Sequence, residues 1–267
     1  MDFINQIDDF QYKKCGVSLK QGERIAGNED LFFRAKQEEI CEQYYAARLF
    51  LQETSFQDER VDKYLLSLTE QYKSDCDMTV YLKGLCYECS LMYYNIVVDL
   101  TWVLTYVCIE DFFYRNQFDV VKLKGIQDVK SAREAMMYYE ENACSPSESD
   151  DIFLYIKSLA PSFCTVIDQV IIFWNKYRNS NNRKRYNYIK HRGKPFYSEM
   201  DEDRVFNAFS IAGNSLVQLA SSVSDVSNRY SLNDAIKELK DFDDKELFPY
   251  VSNLIKDLER IVNPLIV

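Results

Sequence analysis

The residue types best suited to catalysis lie in one stretch, RKRYNYIKHRGKPFY, at positions 183 to 197. It contains the single histidine of the chain, His191, and Arg185 precedes that histidine with five residues between them. An imidazole can accept or donate a proton near neutral pH, and a guanidinium can stabilise negative charge that develops on a phosphate. Asn187 can orient reacting groups through hydrogen bonds. Arg185, His191 and Asn187 are therefore the candidate catalytic residues for cleavage of RNA without a metal ion.

The same region concentrates positive charge in a chain that is otherwise acidic. The net charge is -10, with 32 Lys and Arg against 42 Asp and Glu. Residues 176 to 194 hold eight of the basic residues and no acidic one, which leaves 24 basic and 42 acidic residues elsewhere. A local cationic surface on an anionic protein binds a polyanion in one orientation, through salt-sensitive contacts. The candidate RNA-binding residues are Lys176, Arg178, Arg183, Lys184, Lys190, Arg192, Lys194 and Tyr197.

Aromatic side chains lie between these charges and could stack on unpaired bases: Tyr177, Tyr186, Tyr188, Phe196 and Tyr197. The alternative is a solvated loop whose aromatic residues anchor it in the core. If the stretch is helical, Lys184, Asn187 and His191 share one face, whereas Arg185 lies about 120° away around the helix. In a helix, the convergence of Arg185 and His191 therefore depends on the reach of the arginine side chain.

Composition and periodicity predict an all-α fold. The 267 residues include only 7 Gly and 5 Pro, too few for a fold rich in tight turns. Apolar residues recur at helical spacing, and the helices predicted from them cover residues 28–52, 61–72, 79–114, 128–141, 152–159, 163–177, 205–223, 232–240 and 244–262. No strand with a hairpin turn is predicted. We expect a single all-α domain over residues 1–267.

The apolar run from Leu91 to Ile109 contains Asn95 and Asp99, which favours a buried helix over a membrane span. The first ten residues are acidic and lack the features of a signal peptide. Eight scattered cysteines are typical of reduced thiols. We expect a cytoplasmic protein with no membrane contact.

Cys86 and Cys89 form a lone CxxC pair, which could be redox-active or supply half of a zinc site. No second pair and no nearby histidine completes a tetrahedral set of ligands. We expect no metal site and no cofactor.

A long apolar helix, a polar turn and then RYNYIKH, residues 185 to 191, resemble the HEPN superfamily, the higher eukaryotes and prokaryotes nucleotide-binding domains. The family motif is an Arg and a His separated by four to six residues, and Arg185 and His191 are the matching positions. In helix order the resemblance covers a HEPN-like core of about residues 30–225, which leaves additional C-terminal helices at 231–263. Active members usually carry Asn, Asp or His directly after the Arg, where this chain has Tyr186.

The resemblance implies a helical bundle that forms a homodimer, in which two sets of Arg and His share one cleft. Many members are metal-independent endoribonucleases that act as toxins or in antiviral defence and leave 2′,3′-cyclic phosphate ends. We therefore expect RNA as the ligand, a homodimer, and an antitoxin or defence partner protein. The alternative is a non-catalytic helical interaction module in a defence or regulatory assembly, whose basic stretch docks RNA or an acidic partner.

Overall fold

The computed structural model describes residues 28–55, 75–115, 151–200, 205–212, 215–222 and 228–262. Most of these residues are helical, which confirms the predicted all-α class. The helices predicted over 61–72 and 128–141 lie outside the described residues. The described helices are α1 (Asn28–Glu53), α2 (Asp75–Arg115), α3 (Asp151–Leu159), α4 (Cys164–Tyr177), α5 (Asn181–Arg192), α6 (Leu232–Phe242) and α7 (Phe248–Val262).

Short irregular helical turns and strands complete the described chain. A 3₁₀ turn, Pro161–Phe163, precedes α4, and a π-helical turn, Asp243–Leu247, joins α6 to α7. Strand β1 (Phe196–Tyr197) pairs in parallel with β4 (Arg229–Tyr230). Strands β2 (Val205–Ala212) and β3 (Ser215–Ser222) form an antiparallel hairpin. The prediction of a helix over 205–223 is therefore wrong.

The hairpin has a sequence signal that competes with the helical spacing. Only Gly213 and Asn214 separate the two strands, and Ala212 lies opposite Ser215. Gly-Asn is a favourable pair for a two-residue connection between antiparallel strands. The prediction followed the i, i+3 and i+4 spacing of the apolar residues and overlooked this turn.

Packing divides the chain into two compact units. Of the described residues, the first unit comprises 28–46, 93–115, 151–180 and 243–262, and the second comprises those within 47–92 and 181–242. The chain passes from one unit to the other within α1 and again within α2. The stretch predicted to bind RNA is divided as well, since residues up to 180 belong to the first unit and those from 181 onward to the second.

The core of the first unit includes the apolar faces of α4 and α7. The helix predicted over 163–177 is confirmed, and its apolar residues at helical spacing are buried: Val166, Ile167, Val170, Ile171 and Trp174. On α7, Val251, Leu254, Ile255 and Leu258 are fully buried at the same spacing. Phe173 of α4 stacks on Tyr250 of α7, with ring centroids 3.8 Å apart. Removal of these faces from water is the main stabilisation of the unit.

Buried hydrogen bonds fix the arrangement of these helices. The Tyr177 hydroxyl donates to Asn95 Oδ1 at 2.6 Å. The hydroxyl oxygens of Thr101 and Tyr250 lie 3.0 Å apart. A buried polar group without a partner costs free energy, so these pairs favour one packing of α2, α4 and α7 over its alternatives.

Within the described residues, one helical segment, Thr79–Ile109 of α2, is long and apolar enough to cross a membrane. Of the most apolar stretch of 18 residues in this segment, 61% is buried inside the protein. In the first unit Tyr94, Asn95, Val97 and Val98 of this segment are fully buried. Their burial agrees with the buried helix predicted for the run from Leu91 to Ile109.

Candidate nucleic-acid interface

The basic stretch forms helix α5 of the second unit. The helix has no acidic residue in its first turn, and its last turn contains Lys190, His191 and Arg192. Cations in the last turn stabilise a helix, because they lie near the negative end of the helix dipole. Gly193 then ends the helix with a φ of 99°, a conformation that favours glycine, and Pro195 follows. Residues 181–192 are therefore a helix and not a loop, whereas Phe196 and Tyr197 after it are buried, as the alternative predicted.

Helix α5, over more than half of its circumference, and Lys194 just after it expose basic and polar groups to solvent. We call this surface the cationic face, which consists of Lys184, Asn187, Lys190, His191, Arg192 and Lys194. Lys184, Asn187 and His191 lie on one side of the helix, in line with their spacing. Among the residues that the structure describes, no carboxylate pairs with Lys184, Lys190 or Arg192.

Arg185 contacts α6 and is largely removed from solvent. Its Nη1 donates to Glu238 Oε2 at 2.6 Å, and its guanidinium carbon lies 4.9 Å from the ring centroid of Tyr230. Asn181 donates to Glu238 Oε1 at 2.8 Å. Only 15% of the Arg185 side chain is exposed. Because His191 is exposed about 120° away around the helix, the structure does not bring Arg185 and His191 together within one chain.

Burial and neighbouring groups fix the charge states around Arg185. Burial raises the pKa of Tyr87 to about 12, although the nearby Arg185 opposes that shift. Burial is also the main cause that raises the pKa of Tyr230. Burial works against the charged form of Arg185, but Tyr87 and the hydrogen bond to Glu238 outweigh it, so the pKa of Arg185 is raised. At neutral pH the two phenols are therefore neutral and the guanidinium is charged.

Tyr197 anchors the segment after α5 to helix α2. Its ring is completely buried against Gly84, and its hydroxyl donates to Glu88 Oε1 at 2.5 Å. Lys194 Nζ lies 3.8 Å from the same oxygen of Glu88. A buried ring cannot stack on a base of RNA. The RNA contact predicted for Tyr197 is therefore replaced by a positioning role, in which Tyr197 holds the end of the cationic face in place.

Gly84→Ala is expected to lower the free energy of unfolding by about 1–3 kcal/mol. A Cβ at position 84 would lie 3.1 Å from Cζ of Tyr197 and closer still to Cε2, so the buried ring would have to move. This clash outweighs the gain of about 1 kcal/mol that alanine brings to a helix interior. Chemical denaturation measures the difference. In the Tyr197→Leu background, Gly84→Ala should lower the free energy of unfolding by much less. An equal loss in both backgrounds would contradict the close contact.

Glu199 caps the N-terminus of α6 from another part of the chain. Its carboxylate accepts hydrogen bonds from the N–H of Leu232 at 2.8 Å, the N–H of Asn233 at 2.9 Å and the hydroxyl of Ser231 at 2.8 Å. These bonds satisfy donors that the first turn of a helix leaves unpaired. Partial burial opposes ionisation, but the hydrogen bonds outweigh it and lower the pKa of Glu199. The cap links the segment that follows α5 to α6.

Glu199→Gln is expected to lower the free energy of unfolding at neutral pH by about 1 kcal/mol, because the amide offers a single acceptor oxygen. The pKa of Glu199 is lower in the folded protein, so the stabilisation is complete above the ordinary glutamate pKa. It is lost as the pH falls through the folded pKa. Urea titrations of wild type and variant should therefore converge in acid. Asp234→Asn, in the same turn, is the control; a difference that is constant at every pH would contradict the cap.

The other residues predicted to bind RNA lie in both units. Lys176 and Arg178 are exposed in the first unit, where Lys176 Nζ lies 3.0 Å from Oε1 of Glu246 in an ion pair. In the second unit the guanidinium carbon of Arg183 lies 5.2 Å from the ring centroid of Tyr186, and Lys190 Nζ lies 5.9 Å from it. Of the basic residues predicted to bind RNA, those from Arg183 to Arg192 lie on α5, and Lys194 lies just after it.

Cys86 and Cys89 are free thiols on α2. Both are partly buried, and burial is the main cause that raises the pKa of each. A raised thiol pKa keeps the reactive thiolate scarce at neutral pH. Within the described ranges, no group of three or more His, Cys, Asp and Glu side chains could hold a metal ion. The raised pKa values disfavour redox chemistry at this pair.

Comparisons with protein-family models, with curated proteins and with solved structures gave no significant match to this chain.

Proposed function

We propose that this chain is an RNA-binding protein of the HEPN type, which holds the phosphate backbone on the cationic face. The observation that carries the proposal is the exposure of Lys184, Lys190 and Arg192 without a carboxylate partner among the described residues. The whole chain has a net charge of -10, so these cations form a local positive surface on an anionic protein. Such a surface attracts the closely spaced phosphates of a nucleic acid.

The contacts behind the cationic face support the proposal, because they hold α5 from both ends. Near its start, Asn181 and Arg185 both donate to Glu238 of α6. Beyond its end, Tyr197 is buried against α2 and β1 pairs with β4. A surface that is already ordered loses less conformational freedom when it binds a ligand, which favours affinity. Arg185 is therefore a positioning residue in this proposal.

Aromatic groups beside the cations favour RNA over an acidic protein partner. Tyr186 is half-buried on α5, and both Arg183 and Lys190 approach its ring. Aromatic rings next to cations bind single-stranded nucleic acid by stacking on bases while the cations contact phosphates. An acidic peptide would use only the charges.

A second candidate function, cleavage of the bound RNA, is favoured by the exposure of His191. Asn187 lies one turn before it on the same side of α5. In this proposal His191 is the general acid or base and Asn187 orients the reacting groups. Because Glu238 holds Arg185, charge on the phosphate would be stabilised by Lys184 or by the cationic face of a second copy in a homodimer.

Incubation of the purified protein with structured and unstructured RNA in EDTA tests both functions. Binding that weakens with salt supports the RNA-binding proposal. RNA fragments that end in 2′,3′-cyclic phosphate support cleavage, because EDTA suppresses metal-dependent nucleases. If RNA neither binds nor is cut while an acidic peptide binds, the basic stretch is a docking surface for a protein and the RNA proposal is wrong.

A further inference from the structure

We propose that Tyr81 of α2 forms a base-stacking platform at the end of the cationic face, and that the bound RNA is therefore single-stranded with at least one unpaired base. The inference rests on the proposed RNA-binding function and assigns it a substrate class. Tyr81 lies outside the basic stretch in the sequence, and nothing in its sequence context suggests a contact with that stretch.

The position of Tyr81 relative to Lys194 carries the inference. Lys194 Nζ lies 3.8 Å from the centroid of the Tyr81 ring. The Tyr81 side chain is nonetheless 44% exposed, so much of the ring remains open to solvent. An exposed aromatic ring beside a cation can stack on a base while the cation contacts the adjoining phosphate.

The contact between Lys194 and Tyr81 is held in place by buried groups. Tyr197, three residues after Lys194, packs against Gly84, which follows Tyr81 by three residues on α2. The Tyr197 hydroxyl donates to Glu88, and the same Glu88 oxygen lies 3.8 Å from Lys194 Nζ. The platform is therefore pre-organised, since Lys194 and Tyr81 lie on two segments that are anchored to each other.

Tyr81 is also continuous with the proposed phosphate-binding surface. Lys190 and Arg192 are exposed in the last turn of α5, and Lys194, which contacts the Tyr81 ring, is exposed two residues after the end of that helix. A strand that follows these cations would bring a base to Tyr81. Bases in an A-form duplex are stacked on each other and cannot use the platform, so Tyr81 selects unpaired RNA.

Replacement of Tyr81 by alanine and by phenylalanine tests the inference with three labelled probes. The probes are a short unstructured RNA, an abasic oligonucleotide of equal length and a fully paired RNA duplex. Tyr81→Ala is expected to weaken binding of the unstructured RNA roughly 5- to 100-fold, and to leave the abasic and duplex probes unchanged. Tyr81→Phe keeps the ring and should bind the unstructured RNA as the wild type does.

Met92→Ala is the matched control, because Met92 lies on the same helix and is 45% exposed. It should leave all three affinities unchanged. If Tyr81→Ala binds unstructured RNA as the wild type does, while charge reversal on α5 abolishes binding, the platform is wrong and the proposed function stands. If the wild-type protein binds none of the probes, both proposals are wrong.

Discussion

Reversal of the charges of Lys184 and Lys190 together, by substitution with glutamate, is expected to lower the affinity for unstructured RNA about 100-fold near physiological salt. The estimate takes roughly a tenfold loss for each reversed contact with a phosphate. Both side chains are exposed on α5 and form no ion pair among the described residues, so the substitutions should leave the fold unchanged. Fluorescence anisotropy with labelled RNA measures the dissociation constant, and thermal unfolding checks the fold.

Lys237→Glu combined with Lys256→Glu is the matched control for that experiment. These lysines are also exposed, on α6 and α7, and their reversal changes the net charge by the same amount. The control should lose little affinity, because neither lysine belongs to the cationic face, and an exposed charge that contacts no phosphate is largely screened by salt. If both double variants lose affinity equally, total charge determines binding and the cationic face is not the site.

His191→Ala is expected to lower RNA cleavage in EDTA by on the order of 10²- to 10⁴-fold, the contribution typical of a general acid or base. His191 is exposed at the end of α5, so its truncation should affect neither folding nor packing. Cleavage rates and end groups are measured at saturating RNA, and the dissociation constant is measured in parallel. We expect a small change in the dissociation constant and a large change in the cleavage rate, because the neighbouring lysines that bind the RNA remain.

Arg192→Ala is the control for His191→Ala, because Arg192 directly follows His191 in the last turn of α5 and is also exposed. It should weaken binding and leave the rate at saturating RNA nearly unchanged. Equal cleavage by the wild type and His191→Ala would remove the catalytic role of His191, while the binding proposal would stand on the charge-reversal result.

The helices could be predicted from the sequence because burial on one side imposes a period of 3.6 residues. The predicted helix over residues 28–52 agrees closely with α1 (Asn28–Glu53), and the one over 79–114 agrees with α2 (Asp75–Arg115). Helix α5 was left open between a helix and a loop, because its residues are mostly polar and form no apolar stripe. The hairpin of β2 and β3 was not predicted, because the spacing of apolar residues over 205–223 also fits a helix. The sequence signal for the hairpin is confined to two residues, Gly213 and Asn214.

The partners of the candidate site could not be predicted, because they are set by tertiary packing. The sequence places Arg185 on a different side of α5 from His191, but nothing in it identifies Glu238 as the partner of Arg185. Tyr197 looked like an exposed aromatic residue beside cations, and only the packing against Gly84 identifies it as buried. Tyr81 has no sequence signal at all, since its neighbour Lys194 lies in a distant part of the chain.

The central claim, that the cationic face binds the phosphate backbone of RNA, is tested most directly by the salt dependence of binding. The logarithm of the association constant of wild-type protein for unstructured RNA should fall linearly with the logarithm of the salt concentration. The double variant Lys184→Glu with Lys190→Glu should give a slope smaller by about 1.4, because each lost phosphate contact removes about 0.7 for a single strand. A wild-type affinity that does not change with salt, or an identical slope in the variant, would contradict the claim.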